Sequence, residues 1–292
     1  MHRLGRVMRS RPGVGVSVLM ATVAILVSGG PTATAEGSRT GLALGDSVVF
    51  GYITQAGYQY VNPNNFIGFP EHAGPQLHLD ISNASCPGET SGSLLSTSNP
   101  DNGCQAFRGG APLHVAYAGA QIDYATSFIK NHPGTGLVSI LVGANDVFLL
   151  EKACSGDPSC ILANISTVLG QLGANLDAIF LAIHKAGFHG VLVGVTYYST
   201  DYNDALTTGV VQRLDAVIAA RTKAAGGVVA DGYGAFYAAS TTPTGHRPCY
   251  AGLLNENPAD TATCDVHPSQ SGQELLARAV VDAYQGAHQG NN

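Results

Sequence analysis

The sequence predicts an α/β protein, a three-layer α/β/α sandwich around a central, mostly parallel five-stranded sheet. Three observations carry that prediction. Short apolar runs alternate with longer stretches of helical periodicity. The run 137–142 is almost continuously apolar, as in a strand buried on both faces of a parallel sheet. The composition supports a large core: 45% of the 292 residues are apolar and only 12% charged, the latter about half the usual ~25%.

Taken in order, Leu42–Leu44 reads as a short strand ending at Gly45-Asp46-Ser47, and 77–82 as a second strand. Gln121 to Lys130 reads as a helix stopped before Pro133, and 137–142 as a fully buried strand. The clearest helix follows. Ile161, Ile165, Val168, Leu172, Leu176, Ile179 and Ile183 recur at three- and four-residue intervals, one face of an α-helix, and Gly187 is placed to end it. Residues 191–195 form the fourth strand and 204–225 a helix ending at Gly226-Gly227. A short strand over 228–230 and a last helix over 270–284 complete the pattern. The connections at 50–75, 85–120 and 232–265 read as long loops. Open α/β sheets gather such loops, and their sites, at the carboxyl ends of the strands.

The first 35 residues are expected to be a secretory signal peptide. Arg3, Arg6, Arg9 and Arg11 precede an apolar run, 14–27, and Ala33-Thr34-Ala35 offers a cleavage site before Glu36. The run is short of the ~20 residues of a spanning helix. Residues 36–292 are expected to form a single exported domain with 10 basic and 20 acidic residues. That acidic balance excludes nucleic acid, which requires a basic face. No other run of membrane-spanning length is evident, so a soluble, secreted monomer without a stable membrane anchor is expected.

Six cysteines follow the leader, an even number in an oxidising compartment, which favours disulfides. They allow 15 pairings. Sequence-local pairing is preferred: Cys86–Cys104, Cys154–Cys160 and Cys249–Cys264. No Cys-x-x-Cys and no His-Glu-x-x-His occurs, so no metal is expected.

Four stretches carry candidate chemistry. Ser47 follows the first strand at a helix start, where free N–H groups favour negative charge. Gly88, in Cys86-Pro87-Gly88, follows the second strand and offers an unobstructed N–H. Asn145 follows the third strand in Gly143-Ala144-Asn145-Asp146. His267 lies before the last helix in Asp265-Val266-His267-Pro268, and His is the natural general base at neutral pH. Taken singly, Gly-Asp-Ser and Pro-Gly are also ordinary cap and turn sequences.

Together, in the order Ser, Gly, Asn, His, these stretches resemble the SGNH hydrolases, also called GDSL lipases and esterases, across essentially the whole chain after the leader. The resemblance implies a flavodoxin-like sandwich and a serine carboxylic ester hydrolase that needs no cofactor. It implies Ser47 as nucleophile, His267 as general base, and an oxyanion hole of the Ser47 and Gly88 N–H groups with the Asn145 side chain. There are two departures. Val48 stands where the family has Leu or Ile. The family's acid, three residues before the His, is here Cys264; Asp265 lies two before, and is open to orienting His267 through its carboxylate, through its carbonyl or not at all. No Gly-x-Ser-x-Gly elbow is present, against an ordinary α/β-hydrolase.

The substrate is expected to be a small-molecule, lipid or acylated-glycan ester. A carbohydrate O-acetyl esterase is the alternative, and a non-catalytic surface-binding module the third reading. Phe50, Tyr52, Tyr58, Tyr60, Phe66 and Phe69 either line an acyl or alcohol pocket or belong to the core. Tyr197, Tyr198 and Tyr202 are candidates to border the same cleft.

Overall fold

A computed structural model describes residues 13, 39–243 and 245–289; the expected signal peptide lies outside them, Gly13 apart. The apolar runs form β1 (Arg39–Gly45), β2 (Leu79–Asn83), β3 (Leu137–Leu141), β4 (Val191–Val195) and β5 (Val228–Ala230). They build one sheet in the order β2-β1-β3-β4-β5, with every neighbouring pair parallel. The chain leaves β1 toward one edge and returns to its other side as β3. This reversal opens a crevice beyond the carboxyl ends of β1 and β3, the usual ligand position in such sheets.

Ten helices flank the sheet or cap its rim among the described residues: α1 (Ser47–Phe50), α2 (Phe69–Leu77), α3 (Ser91–Leu95), α4 (Cys104–Gly110), α5 (Gln121–Asn131), α6 (Ala144–Ala153), α7 (Pro158–Lys185), α8 (Ala205–Ala224), α9 (Gly232–Ala239) and α10 (Gln270–Gln289). Helices α2, α9 and α10 form one layer, and α3, α5, α6, α7 and α8 the other. Helix α7 starts where Asp157 caps it, its carboxylate accepting the Ser159 N–H at 3.0 Å. It ends before Gly187, which turns at φ +96°. Its Ile161–Ile183 stripe faces the core, each such side chain contributing about 1.5–3 kcal/mol when fully buried. By length and composition α7 is also apolar enough to cross a membrane, although its apolar residues are interrupted by polar ones along the sequence.

The expected long loops carry more structure than their sequences indicated. Residues 50–75 contain two 3-10 turns and most of α2, whose entry is fixed by the Glu71 carboxylate accepting the Gly68 N–H at 2.9 Å. Leu77 therefore ends a helix, and β2 begins two residues later, after His78 reverses the chain at φ +53°. Residues 85–120 hold α3 and α4. Residues 232–265 hold α9, the ribbon β6 (Thr241–Thr242) with β7 (Gly245–His246), and most of the antiparallel pair β8 (Leu254–Asn257) and β9 (Asp260–Pro268). Disulfides join Cys86 to Cys104, Cys154 to Cys160 and Cys249 to Cys264.

Candidate active site

Ser47 is the first residue of α1, directly beyond β1. Gly45 makes the turn possible. It adopts φ +141°, and a Cβ there would lie 2.0 Å from the Leu141 carbonyl oxygen of β3. Asp46 caps α1, its Oδ1 accepting the Val48 N–H at 2.9 Å. The Ser47 N–H has no hydrogen-bond partner among the described residues. The far end of this single turn is tied to both neighbouring elements: Gln273 of α10 donates to Val48 O at 2.9 Å and Asn83 of β2 to Val49 O at 3.0 Å.

β9 delivers His267 to the same place. Its Nε2 lies 2.9 Å from Ser47 Oγ, and its Nδ1 lies 2.9 Å from both carboxylate oxygens of Asp265. The side chains of His267 and Asp265 are only 13% and 12% exposed. Residues two apart on a strand project to one face, so the i, i+2 spacing lets the Asp265 carboxylate reach the imidazole. The carboxylate also accepts the Thr54 hydroxyl and the Val266 N–H at 2.5 Å. Burial opposes ionisation of Asp265, but the hydrogen bond and charge of His267, with the Thr54 and Val266 donors, hold its pKa below the usual carboxylate range. Three contacts fix the backbone here. Tyr198, stacked on Phe236 with ring centres 4.1 Å apart, donates its hydroxyl to Val266 O at 2.7 Å. The Cys249–Cys264 bridge anchors β9. Ser269 starts α10, its carbonyl accepting the Gln273 N–H at 2.8 Å.

Gly88 and Asn145 come from the loops after β2 and β3. Gly88 turns at φ +86°, and a Cβ there would stand 2.7 Å from Asn102 O. Its carbonyl accepts the Asn102 N–H at 2.8 Å, while its own N–H is unpartnered among the described residues. Asn145, 4% exposed on the first turn of α6, accepts from Asn102 Nδ2 at 2.8 Å. Its Nδ2 donates to Glu89 O at 3.0 Å and, over a longer 3.5 Å, to Asp46 Oδ2. The amide orientation is thereby set, with one N–H only weakly engaged.

Burial dominates the electrostatics. It raises Asp46 to about 6, against the hydrogen bonds from the Tyr197 hydroxyl and the Val48 N–H. It raises Glu89 to about 7, against hydrogen bonds from Ser93 and Gln121. Gln121 also bridges Glu89 to the end of β1, through Gly45 O at 3.0 Å and Gly45 N at 2.6 Å.

A cavity of about 290 Å³ opens beside Ser47, Asn145 and His267, walled mainly by apolar side chains of α6 and α8. Tyr197 and Tyr198 line it. Tyr202 does not; its hydroxyl donates to Tyr233 O at 2.7 Å. The aromatic stretch after Ser47 mostly packs elsewhere. Phe50 and Phe66 form a second small core with the Cys86–Cys104 bridge, Phe69 joins the main core, and Tyr58 points to solvent. Tyr52 alone of this group meets the site, edge-on to His267 with ring centres 5.0 Å apart. Sequence reasoning missed Thr54 and Asn102. No local pattern marks them, since Thr54 lies 211 residues from Asp265 and Asn102 lies 43 from Asn145.

Comparisons with known proteins place the family and the fold. The family model for the GDSL-like Lipase/Acylhydrolase family matches residues 43–275. Among solved structures, phospholipase A1 from Streptomyces albidoflavus NA297 aligns with a TM-score of 0.58 at 16% identity, covering 84% of this chain and 99% of its own. The extracellular lipase of Streptomyces rimosus gives 0.55 at 20% identity, covering 84% and 99%. Axe2, an acetylxylan esterase from Geobacillus stearothermophilus, gives 0.50 at 18% identity, covering 85% and 95%. At these identities the likeness is one of fold. No curated protein sequence matches the chain. A family match over most of the chain, on the same five-stranded sheet, identifies this protein as a member of the GDSL-like lipase/acylhydrolase family, a serine ester hydrolase.

Proposed function

We propose that this protein is a secreted carboxylic ester hydrolase of lipase or esterase type, working through a Ser47 acyl-enzyme. The observation that carries the reading is the continuous chain from Asp265 to His267 to Ser47, with both His267 links at 2.9 Å. Nδ1–H donates to the Asp265 carboxylate, which leaves Nε2 bare to accept the Ser47 hydroxyl proton. As that proton moves to His267, Oγ bonds to the ester carbon and the carbonyl oxygen becomes an oxyanion. The Ser47 and Gly88 N–H groups and Asn145 Nδ2 hold this oxygen; losing one such donor typically costs ~10²–10³ in rate. Collapse breaks the bond to the alcohol, which leaves with the His267 proton. Water then attacks the acyl-enzyme with His267 again as base, and the acid departs.

The apolar cavity beside Ser47 favours an acyl chain over an acetyl group, and so a lipase or esterase over a glycan deacetylase. Three disulfides and the leader pattern support export; protein recovered from culture medium is expected to begin at Glu36. Hydrolysis of nitrophenyl esters tests the activity. Turnover is expected, falling at least ~10³-fold in Ser47→Ala. Turnover unchanged in that variant would refute the assignment of Ser47.

A further inference from the structure

The α6 face that begins at Asn145 continues through Val147 and Phe148 to Glu151. The six steps of helix from Asn145 to Glu151 cover about 9 Å. Opposite it, α8 presents Leu206, Val210 and Leu214 at four-residue intervals, a second rail about 12 Å long. Leu214 is the end nearest the sheet, since a Cβ on Gly143 would lie 3.0 Å from it. Leu206 is therefore the outer end. Ile161, next in sequence to the Cys154–Cys160 bridge that ties α6 to α7, also lines the cavity. Glu151 is the one acidic residue lining the cavity away from the serine and histidine. It is partly buried, and its carboxylate has no hydrogen-bond or ion-pair partner among the described residues.

We infer that this trough is the acyl-chain site, that it accepts chains of about seven to ten carbons, and that Glu151 sets the upper limit. The inference rests on Ser47 as the attacking group. An extended chain advances ~1.2 Å per backbone bond, so rails of about 9–12 Å hold seven to ten carbons. Each methylene moved from water onto the α6 and α8 rails favours binding by up to about fourfold. A chain that runs past the rails must desolvate the Glu151 carboxylate, and the gain stops there.

The test is a nitrophenyl ester series from acetate to palmitate, each below its solubility limit, beside alkyl acetates of increasing alcohol length. The kcat/KM is expected to rise at least tenfold from butyrate to octanoate, then fall by dodecanoate. In Glu151→Leu the dodecanoate-to-butyrate ratio rises at least fivefold. In Val210→Phe, which fills the middle of the trough, the octanoate-to-butyrate ratio falls at least tenfold. A profile flat in acyl length, a dependence on alcohol length instead, or ratios unmoved by both variants would overturn the inference. Butyrate turnover that is lost in Ser47→Ala separates this outcome from failure of the catalytic reading.

Discussion

Replacing Asp265 with Asn tests the part of the site where this chain departs most from its family. Asp265 is acceptor-only when ionised, and three donors meet it: His267 Nδ1, the Thr54 hydroxyl and the Val266 N–H. An amide has one acceptor oxygen and two N–H groups, so at least one of the three donors would then face an N–H. If that donor is His267, the imidazole turns over to its other tautomer and Nε2 carries the proton. It can no longer accept from Ser47. The expected loss in kcat is ~10²–10⁴-fold, about 3–5 kcal/mol of transition-state stabilisation, with KM little changed because Asp265 does not line the cavity. Thr54→Val removes one donor and leaves the carboxylate, so the expected loss is smaller, about 3–10-fold. Steady-state kinetics on nitrophenyl butyrate at pH 7.5 measures both. An Asp265→Asn enzyme within threefold of the parent would mean that the carboxylate does not set the tautomer, and leave His267 oriented by its backbone alone.

Gly88→Ala brings a Cβ to 2.7 Å from Asn102 O at φ +86°, so the N–H moves and kcat should fall ~10²-fold or more. Gly103→Ala, also at positive φ but with nothing within 4 Å, controls for strain, and equal kinetic losses in both would remove Gly88 from the site. Burial holds Asp215 at about 8 despite the Tyr197 N–H it accepts at 2.8 Å. A carboxyl raised on folding adds stability that is full below its unfolded pKa, near 4, and is lost as pH rises through about 8. Thermal melts should therefore decline from pH 5 to 9, at up to about 1.4 kcal/mol per pH unit from this group. Asp215→Asn should flatten the upper part of that slope, and an unchanged slope would count against the assignment. Finally, Cys249→Ser with Cys264→Ser frees a 15-residue span, with an expected cost of about 3 kcal/mol and reduced kcat, since β9 carries both Asp265 and His267. Unchanged melting and unchanged kcat would argue that the Tyr198 bond to Val266 alone suffices.

Much of this site is legible in the sequence because a parallel sheet converts linear order into position. Ser47, Gly88 and Asn145 each follow a strand of the sheet, and parallel strands all end at one rim. His267 is legible from its place just before the last helix. The status of Asp265 is not, because it depends on whether the segment is a loop or a strand. Spacing of two brings side chains together only on a strand, and β9 exists through pairing with β8, which polar residues such as Asn255, Glu256 and Asn257 do not advertise. Thr54 and Asn102 are hidden for the same reason: their partners are distant in sequence. The aromatic stretch after Ser47 misleads, since proximity in sequence to the serine places Phe50 and Phe66 behind it, around a disulfide, and not before it.

Ser47 is on this reading a nucleophile activated by His267, whose Nε2 lies 2.9 Å from its Oγ. Reaction with a fluorophosphonate, followed by peptide mass mapping, tests it most directly. One equivalent of label on the peptide containing Ser47, with labelling slowed at least ~10²-fold in His267→Ala, is the predicted result. Label on another residue, or ester turnover that continues with Ser47 unmodified, would contradict it.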